Sequence, residues 1–266
     1  YLMKYLSSRF EEYISECESS NLHPELDNIH SILNKDIDKQ NNIIFYGPSG
    51  VGKYTQALHY IKNFSPTGLK YERKTIISTS SKKSYQFKVS DIHFEIDIEL
   101  LGCNAKVLFN EIYNNITDIV STKSKKTFFI LCKNFHTIHS ELLDIFNTYM
   151  QSLSHINIKL VYIILTENIS FIDKNILNRC QIIPIERPTK KEYEKTLNVD
   201  INKKLHNITN IKNIISNITE LDKINDKILN SIIHNIENYK DINYLNFRDL
   251  IYNIFIYNLD LNTCLY

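Results

Sequence analysis

Short runs of apolar residues, typical of buried strands, recur along the first two thirds of the chain. Three of these runs are continuous and of strand length, at 42–46, 127–131 and 160–165. Strands of a parallel sheet have this composition because helices cover both faces of the sheet. Residues 74–98 instead alternate between apolar and polar side chains, which predicts strands joined by the polar stretch 78–84. A last short apolar run, at 181–185, predicts one more strand.

Segments with helical spacing separate these runs, at 53–64, 103–120 and 140–154. Such alternation over 40–187 predicts an α/β domain in which helices enclose a parallel five-stranded sheet. Residues 1–39 are predicted to be an N-terminal helical segment. After Pro188 the strand pattern stops and apolar residues recur only at helical spacing, so 188–266 is predicted to be a small all-helical domain.

Composition narrows the possible classes of function without selecting one. The chain has 31 basic and 30 acidic side chains, a formal net charge of +1, so contact with DNA would need a local basic patch. The 5 cysteines include no Cys-x-x-Cys pair, and neither a metal site nor a disulfide framework is expected. No apolar run reaches the roughly 20 residues of a membrane span, and an intracellular location is expected.

A glycine-rich segment between the first strand and the first long helix carries the clearest chemistry. It matches the phosphate-binding pattern G-x-x-x-x-G-K and consists of Gly47, Pro48, Ser49, Gly50, Val51, Gly52 and Lys53. In such a P-loop, backbone N–H groups and the helix N-terminus hold phosphates, and the lysine reaches the β- and γ-phosphates. Bound ATP or ADP is therefore predicted.

Two positions depart from the pattern of a P-loop ATPase. The residue after the lysine, normally a Ser or Thr that ligates Mg²⁺, is Tyr54, and Thr55 lies one residue too late on the helix. The acidic pair that normally ends the buried third strand is replaced by Cys132 and Lys133. Mg²⁺ is therefore expected to bind weakly or not at all, and hydrolysis in this chain's own site is not expected.

Four segments give the chain a resemblance to the small subunits of replication factor C, which are AAA+ clamp loaders of eukaryotes, archaea and large DNA viruses. They are Tyr46–Lys53, Thr75–Lys83, Ile176–Cys180 and Leu245–Leu250. The resemblance covers roughly residues 40–255 and is strongest to the subunit whose own ATP site is catalytically deficient. It implies a P-loop domain of AAA+ type followed by a helical lid.

The resemblance also implies roles for individual residues. Arg179, in Asn178-Arg179-Cys180, matches the arginine finger that acts on ATP in a neighbouring subunit, although the family's Ser is lost. Arg248 matches the second sensor, which contacts the γ-phosphate. For the first sensor, a polar residue after the fourth strand, Glu167 aligns best and Asn168 is one step off.

The expected partners are other clamp-loader subunits, a sliding clamp, and primer–template DNA through the assembled complex. The expected location is the nucleus or a viral replication site in the cytoplasm. The chain stops just after the predicted lid, so the family's helical collar is expected to be absent or truncated.

Two other classes of function stay open on the sequence alone. One is a purely structural AAA+ module whose nucleotide site has decayed. The other is an autonomous P-loop enzyme such as a nucleotide kinase or DNA-repair ATPase, which would need a Mg²⁺-binding carboxylate at the end of a buried strand. Residues 127–133 offer no such carboxylate.

Overall fold

The computed structural model describes residues 9–19, 21–26, 36–78, 84–151, 158–197, 220–238 and 243–256. The chain divides into two compact units, Tyr1–Asn210 and Ile211–Tyr266. The predicted limits 1–39, 40–187 and 188–266 stay a prediction. None of the helices in the described ranges combines the length and the apolar character needed to cross a membrane.

Seven strands of the first unit form one sheet. They are β1 (Asn42–Tyr46), β2 (Arg73–Ser78), β3 (Ser84–Val89), β4 (His93–Asp97), β5 (Thr127–Lys133), β6 (Lys159–Thr166) and β7 (Cys180–Pro184). Their order is β2-β3-β4-β5-β6-β1-β7. The five strands from β4 to β7 in this order are parallel, and β2 and β3 add an antiparallel pair at one edge. The predicted α/β fold with five parallel strands is confirmed, and the hairpin extends the sheet to seven.

Eight α-helices lie in the described residues of the two units. The first unit contains α1 (Phe10–Ser19), α2 (Lys53–Lys62), α3 (Ala105–Thr122), α4 (Ser140–Tyr149), α5 (Lys174–Leu177) and α6 (Lys190–Leu197). The second unit contains α7 (Glu220–Glu237) and α8 (Tyr244–Ile256). Short 3₁₀ helices occupy Ile37–Lys39, Glu99–Asn104 and Phe135–Thr137.

All three helices predicted between the strands have other limits than the apolar spacing suggested, and the first, predicted over 53–64, ends at Lys62. The helix predicted from Cys103 begins at Ala105, because residues 99–104 form a 3₁₀ segment and the cap residue Asn104 has φ −93° and ψ 22°, outside helical geometry. The helix predicted to reach Ser154 ends at Tyr149. Near that end Thr148 donates its hydroxyl to the carbonyl oxygen of Ile145 at 2.6 Å, a contact that tends to bend helices. Residues 152–157 lie outside the described part.

Both faces of the sheet are buried, as the continuous apolar runs predicted. Along β5, Phe128 and Ile130 pack with α3 and α4 on one face, whereas Phe129 and Leu131 pack with α1 and α2 on the other. Burial of each such side chain contributes roughly 1.5–3 kcal/mol. Three layers result, with the parallel strands in the middle.

The parallel strands bring the ends of β1, β4, β5 and β6 to one edge of the sheet. Ligands of open parallel sheets bind beyond the carboxyl ends of the strands. The glycine-rich loop leaves β1 at this edge, and Lys133 ends β5 there. The fold therefore places both sequence-predicted features of the phosphate site together.

Candidate nucleotide site

The glycine-rich loop connects the end of β1 to the first turn of α2. Gly52, directly before the helix, has φ 95°, a left-handed conformation that side chains with a Cβ rarely adopt. Gly47 is needed for another reason, because a Cβ there would lie 2.2 Å from the carbonyl oxygen of Ile185. The Lys53 ammonium donates to the carbonyl oxygens of Gly47 and Pro48, at 2.7 Å each.

Two side chains from outside the loop hold its backbone. Nε2 of the buried His23 lies 2.7 Å from the carbonyl oxygen of Val51, and Nδ1 lies 3.0 Å from Glu25 Oε1. Arg187, which follows β7, donates to the carbonyl oxygen of Ser49 at 3.3 Å. The loop backbone is therefore held by one side chain that precedes β1, His23, and by one that follows β7, Arg187.

A cavity of about 490 Å³ opens beside the loop. Its lining consists of Tyr13, Ser49, Gly50, Val51, Gly52, Lys53, Tyr54, Lys74, Lys88, Glu95, Lys133, Asn134, His136, Leu165 and Glu167. Four lysines and two glutamates in this lining give it a formal charge of +2, with histidine neutral. A cavity with this excess of ammonium groups is suited to a polyanion such as a nucleotide phosphate chain.

The environment of Lys53 makes its charge costly without an anionic partner. Burial lowers the pKa of Lys53, Glu167 acts in the opposite direction, and Arg187 lowers the pKa further. A phosphate group at the loop would supply the missing negative charge. The structure therefore favours an anion at the position where the motif predicts one.

Tyr54 and Lys133, two of the three residues that depart from an ATPase pattern, contact one buried carboxylate. The Tyr54 hydroxyl donates to Glu95 Oε2 at 2.7 Å, and the Lys133 ammonium lies 3.0 Å from Glu95 Oε1. The same ammonium lies 5.1 Å from the centre of the Tyr54 ring. Glu95 is 4% exposed, so both of its oxygens are held inside the protein.

This carboxylate comes from β4, the neighbour of β5 in the sheet. In the parallel register Asp97 stands opposite Lys133, and its Oδ2 lies 3.8 Å from the ammonium. Burial acts to lower the pKa of Lys133, but Glu95 and Asp97 outweigh it and the pKa is raised. Burial and Glu95 raise the pKa of Tyr54 well above its usual value. At neutral pH the pair is thus an ammonium and a neutral phenol around one carboxylate.

The remaining predicted residues of this region take different positions. Cys132 is fully buried, and burial raises the pKa of its thiol, so it is an inert core side chain. Thr55 is not among the residues that line the cavity. Of the two candidates for the first sensor, Glu167 lines the cavity. Asn168 instead accepts a hydrogen bond from the backbone N–H of Ser170 at 3.0 Å.

Arg179 lies away from the phosphate loop. It directly precedes β7, and its carbonyl oxygen accepts a hydrogen bond from Asn42 at 3.4 Å, at the start of β1. The loop leaves the other end of β1, four residue steps or about 13 Å away. Arg179 is exposed and borders a separate depression together with Asn41, Asn42, Asn178, Cys180 and Gln181.

Arg248 belongs to the second unit, on the exposed side of α8. Its guanidinium donates to Asp249 Oδ1 from Nε at 3.1 Å and from Nη2 at 2.9 Å. Both side chains are exposed. The sensor role of Arg248 stays a prediction.

Sequence reasoning missed three charged residues that line the cavity, Lys74, Lys88 and Glu95, and two that hold the loop backbone, His23 and Arg187. Glu95 had a usable signal, because it stands two residues before the end of a strand that pairs with β5. Lys74 and Lys88 are directly opposite each other in the β2–β3 hairpin, and only the pairing register shows it. His23 and Arg187 carry no local signal, since each acts through a backbone oxygen distant in sequence.

No protein-family model matches this chain. No curated protein matches it either. Solved structures with similarity to it include C. elegans PCH-2, with 17% identity and a TM-score of 0.46 over 70% of this chain and 49% of that chain. Thermotoga maritima RuvB, a Holliday junction branch migration motor, has 11% identity and a TM-score of 0.43 over 89% of this chain and 70% of that chain. This chain spans about half the length of the PCH-2 chain. Similarity at this level says nothing about what this chain binds.

Proposed function

We propose that this chain is a nucleotide-binding subunit of AAA+ type that belongs to a DNA clamp loader. The observation that carries the nucleotide-binding part is the glycine-rich loop itself. Gly52 in left-handed geometry leads into α2, and Lys53 extends along the loop beside a cavity whose lining has a formal charge of +2. Backbone N–H groups and the lysine are the elements that bind the phosphates of ATP or ADP.

We further propose that the bound nucleotide is not hydrolysed in this site. Hydrolysis by P-loop ATPases needs a carboxylate-bound Mg²⁺ and a residue that positions the attacking water. Here β5 ends in buried Cys132 and in Lys133. The carboxylate beside them, Glu95, already accepts from Tyr54 and pairs with Lys133. These contacts support a site that binds nucleotide and leaves it intact.

The location of Arg179 supports a role in a neighbouring subunit. Arg179 lies at the start of β1, and this chain's own loop leaves the end of β1. The two ends of the strand are about 13 Å apart. The exposed side chain of Arg179 is available to an adjacent subunit. In the proposed complex Arg179 acts on the neighbour's nucleotide, and the partners are other loader subunits, a sliding clamp and primer–template DNA.

Replacing Lys53 with methionine tests the nucleotide-binding part. A charge-assisted hydrogen bond to phosphate contributes about 1.5–3 kcal/mol, so we expect affinity for ADP and ATP to fall on the order of 10- to 100-fold. Isothermal titration calorimetry measures this loss. Lys70→Met removes an equally charged but exposed side chain that does not line the cavity and should leave affinity unchanged.

The same titration separates the proposal from its two alternatives. A decayed structural module would show no heat of binding with either nucleotide at millimolar concentration. An autonomous enzyme would turn over ATP with Mg²⁺ and lose this activity in Lys53→Met. Binding without turnover supports the proposed subunit.

A further inference from the structure

Two of the three residues that depart from the ATPase pattern, Tyr54 and Lys133, are a matched pair. Tyr54 follows the P-loop lysine, where a hydroxyl normally binds Mg²⁺, and Lys133 is the second residue of the replaced acidic pair, next to the position of the Mg²⁺-binding carboxylate. In this chain they are far apart in sequence and meet on Glu95, at 2.7 Å and 3.0 Å. Each substitution fits the other, since Tyr54 is long enough to reach Glu95 and Lys133 neutralises it.

Mg²⁺ does not fit this arrangement. A hard divalent cation prefers carboxylate, carbonyl and water oxygens, and a neutral phenol whose O–H is hydrogen-bonded to Glu95 is a poor ligand for it. The Lys133 ammonium would also repel the ion. Both oxygens of Glu95, the one cavity-lining carboxylate in contact with these residues, are already engaged.

The Lys133 ammonium itself supplies a positive charge at the same place. It carries three N–H donors, of which Glu95 takes one at 3.0 Å, and Asp97 is a distant second neighbour at 3.8 Å. The side chain is 29% exposed and lines the same cavity as Ser49, Gly52 and Lys53. At least one donor is thus available on the side where the phosphate chain would lie.

We infer that Lys133, held by Glu95 and Tyr54, replaces Mg²⁺ as the cation that binds the nucleotide's terminal phosphates, so that this chain binds nucleotide free of divalent metal. The inference rests on the proposed nucleotide binding and specifies its ligand as the metal-free nucleotide. It also gives Tyr54 a function, which is to complete the hydrogen bonding of the carboxylate that fixes the lysine.

The first test compares ATP binding to the wild-type chain in EDTA and in excess Mg²⁺ by isothermal titration calorimetry. We expect the two dissociation constants to agree within about twofold, because the protein supplies the cation. Binding that is tenfold or more tighter with Mg²⁺ would overturn the inference and leave the proposed nucleotide binding intact. Failure of ATP to bind under both conditions would instead defeat the proposed function and the inference together.

The second test removes the lysine without leaving its partner unpaired. In Lys133→Met/Glu95→Gln the charge pair becomes neutral, and the amide oxygen of the new side chain can still accept from Tyr54. We expect ATP affinity in EDTA to fall about tenfold, the effect of one charge-assisted hydrogen bond. Lys62→Met/Glu18→Gln is the control, since it removes another lysine and its carboxylate partner, an ion pair between α2 and α1 that does not line the cavity.

We expect the control to lose less than threefold. Equal losses in the two double variants would show a general effect of charge and would contradict a specific role for Lys133. The change Tyr54→Thr/Cys132→Asp/Lys133→Gln restores the hydroxyl and the Mg²⁺-binding carboxylate and removes the ammonium, and it should give the opposite behaviour, with ATP binding at least tenfold tighter in Mg²⁺ than in EDTA. Thermal unfolding of each variant confirms that it is folded before titration.

Discussion

Replacing Arg179 with alanine should lower ATP hydrolysis at the adjacent site of the proposed clamp-loader complex on the order of 10³-fold. A guanidinium that reaches a neighbour's γ-phosphate stabilises charge on the transferring phosphoryl group, and such fingers contribute factors of about 10³–10⁵. In this chain the side chain is exposed at the start of β7, at the opposite end of β1 from its own loop. Its loss should therefore change neither the fold nor the nucleotide affinity of the isolated chain.

The measurement is the steady-state ATPase rate of the complex reconstituted with its partner subunits, clamp and primed DNA. Arg179→Lys should rescue little, because a point charge does not reproduce the planar fork of the guanidinium. Lys174→Ala, an exposed cation on the preceding helix α5, serves as the control and should keep the full rate. An unchanged rate in Arg179→Ala would reject the role in trans.

Acidification should destabilise the first unit through the buried imidazole of His93. This side chain is 0% exposed, its Nδ1 lies 2.5 Å from Ser90 Oγ, and its Nε2 contacts no hydrogen-bonding group in the described residues. Burial lowers the pKa of His93 to about 4, against the opposing effect of Glu95 and Asp91. The unfolded chain binds a proton near pH 6.5, whereas the folded chain does not until about pH 4.

Because the unfolded chain binds this proton more readily, the free energy of unfolding decreases as the pH falls. The contribution of His93 to the free energy of unfolding is complete above pH 6.5 and is lost as pH falls towards 4, by about 3 kcal/mol. His93→Phe keeps a ring next to Phe10 and should remove this part of the pH dependence. Urea unfolding at several pH values measures how the free energy of unfolding depends on pH. His139→Ala, at an exposed position, should retain the wild-type slope, and an identical slope in His93→Phe would contradict the assignment.

The order of strands and helices was largely predictable because burial leaves a pattern in the sequence. Strands β5 and β6 are covered on both faces, so Phe128–Leu131 and 160–165 are continuous apolar runs. The loop at Gly47–Lys53 was predictable because its left-handed residues require glycine in an otherwise glycine-poor chain. Helix limits were less predictable, since the 3₁₀ segment that precedes α3 is defined by backbone conformation and leaves no separate pattern of apolar residues.

The chemistry of the site was only partly predictable, because it depends on pairing between strands. The pattern His93-Phe94-Glu95-Ile96 is consistent with a strand that has one polar face, yet all four residues are buried. Glu95 is buried at low cost because Lys133 and Tyr54 satisfy it, and neither partner is close in sequence. From the sequence, Lys133 indicated only that hydrolysis is lost. Its contact with Glu95 supports the inference that Lys133 takes over the role of the cation at the phosphates.

Phosphorus NMR of ATP mixed with the isolated wild-type chain tests at once whether this chain binds ATP and whether it leaves the ATP intact. We predict that the three phosphate resonances shift or broaden as the chain is added, and that no inorganic phosphate signal grows over several hours. Unchanged resonances would contradict binding. A growing phosphate signal that Lys53→Met abolishes would contradict the loss of hydrolysis.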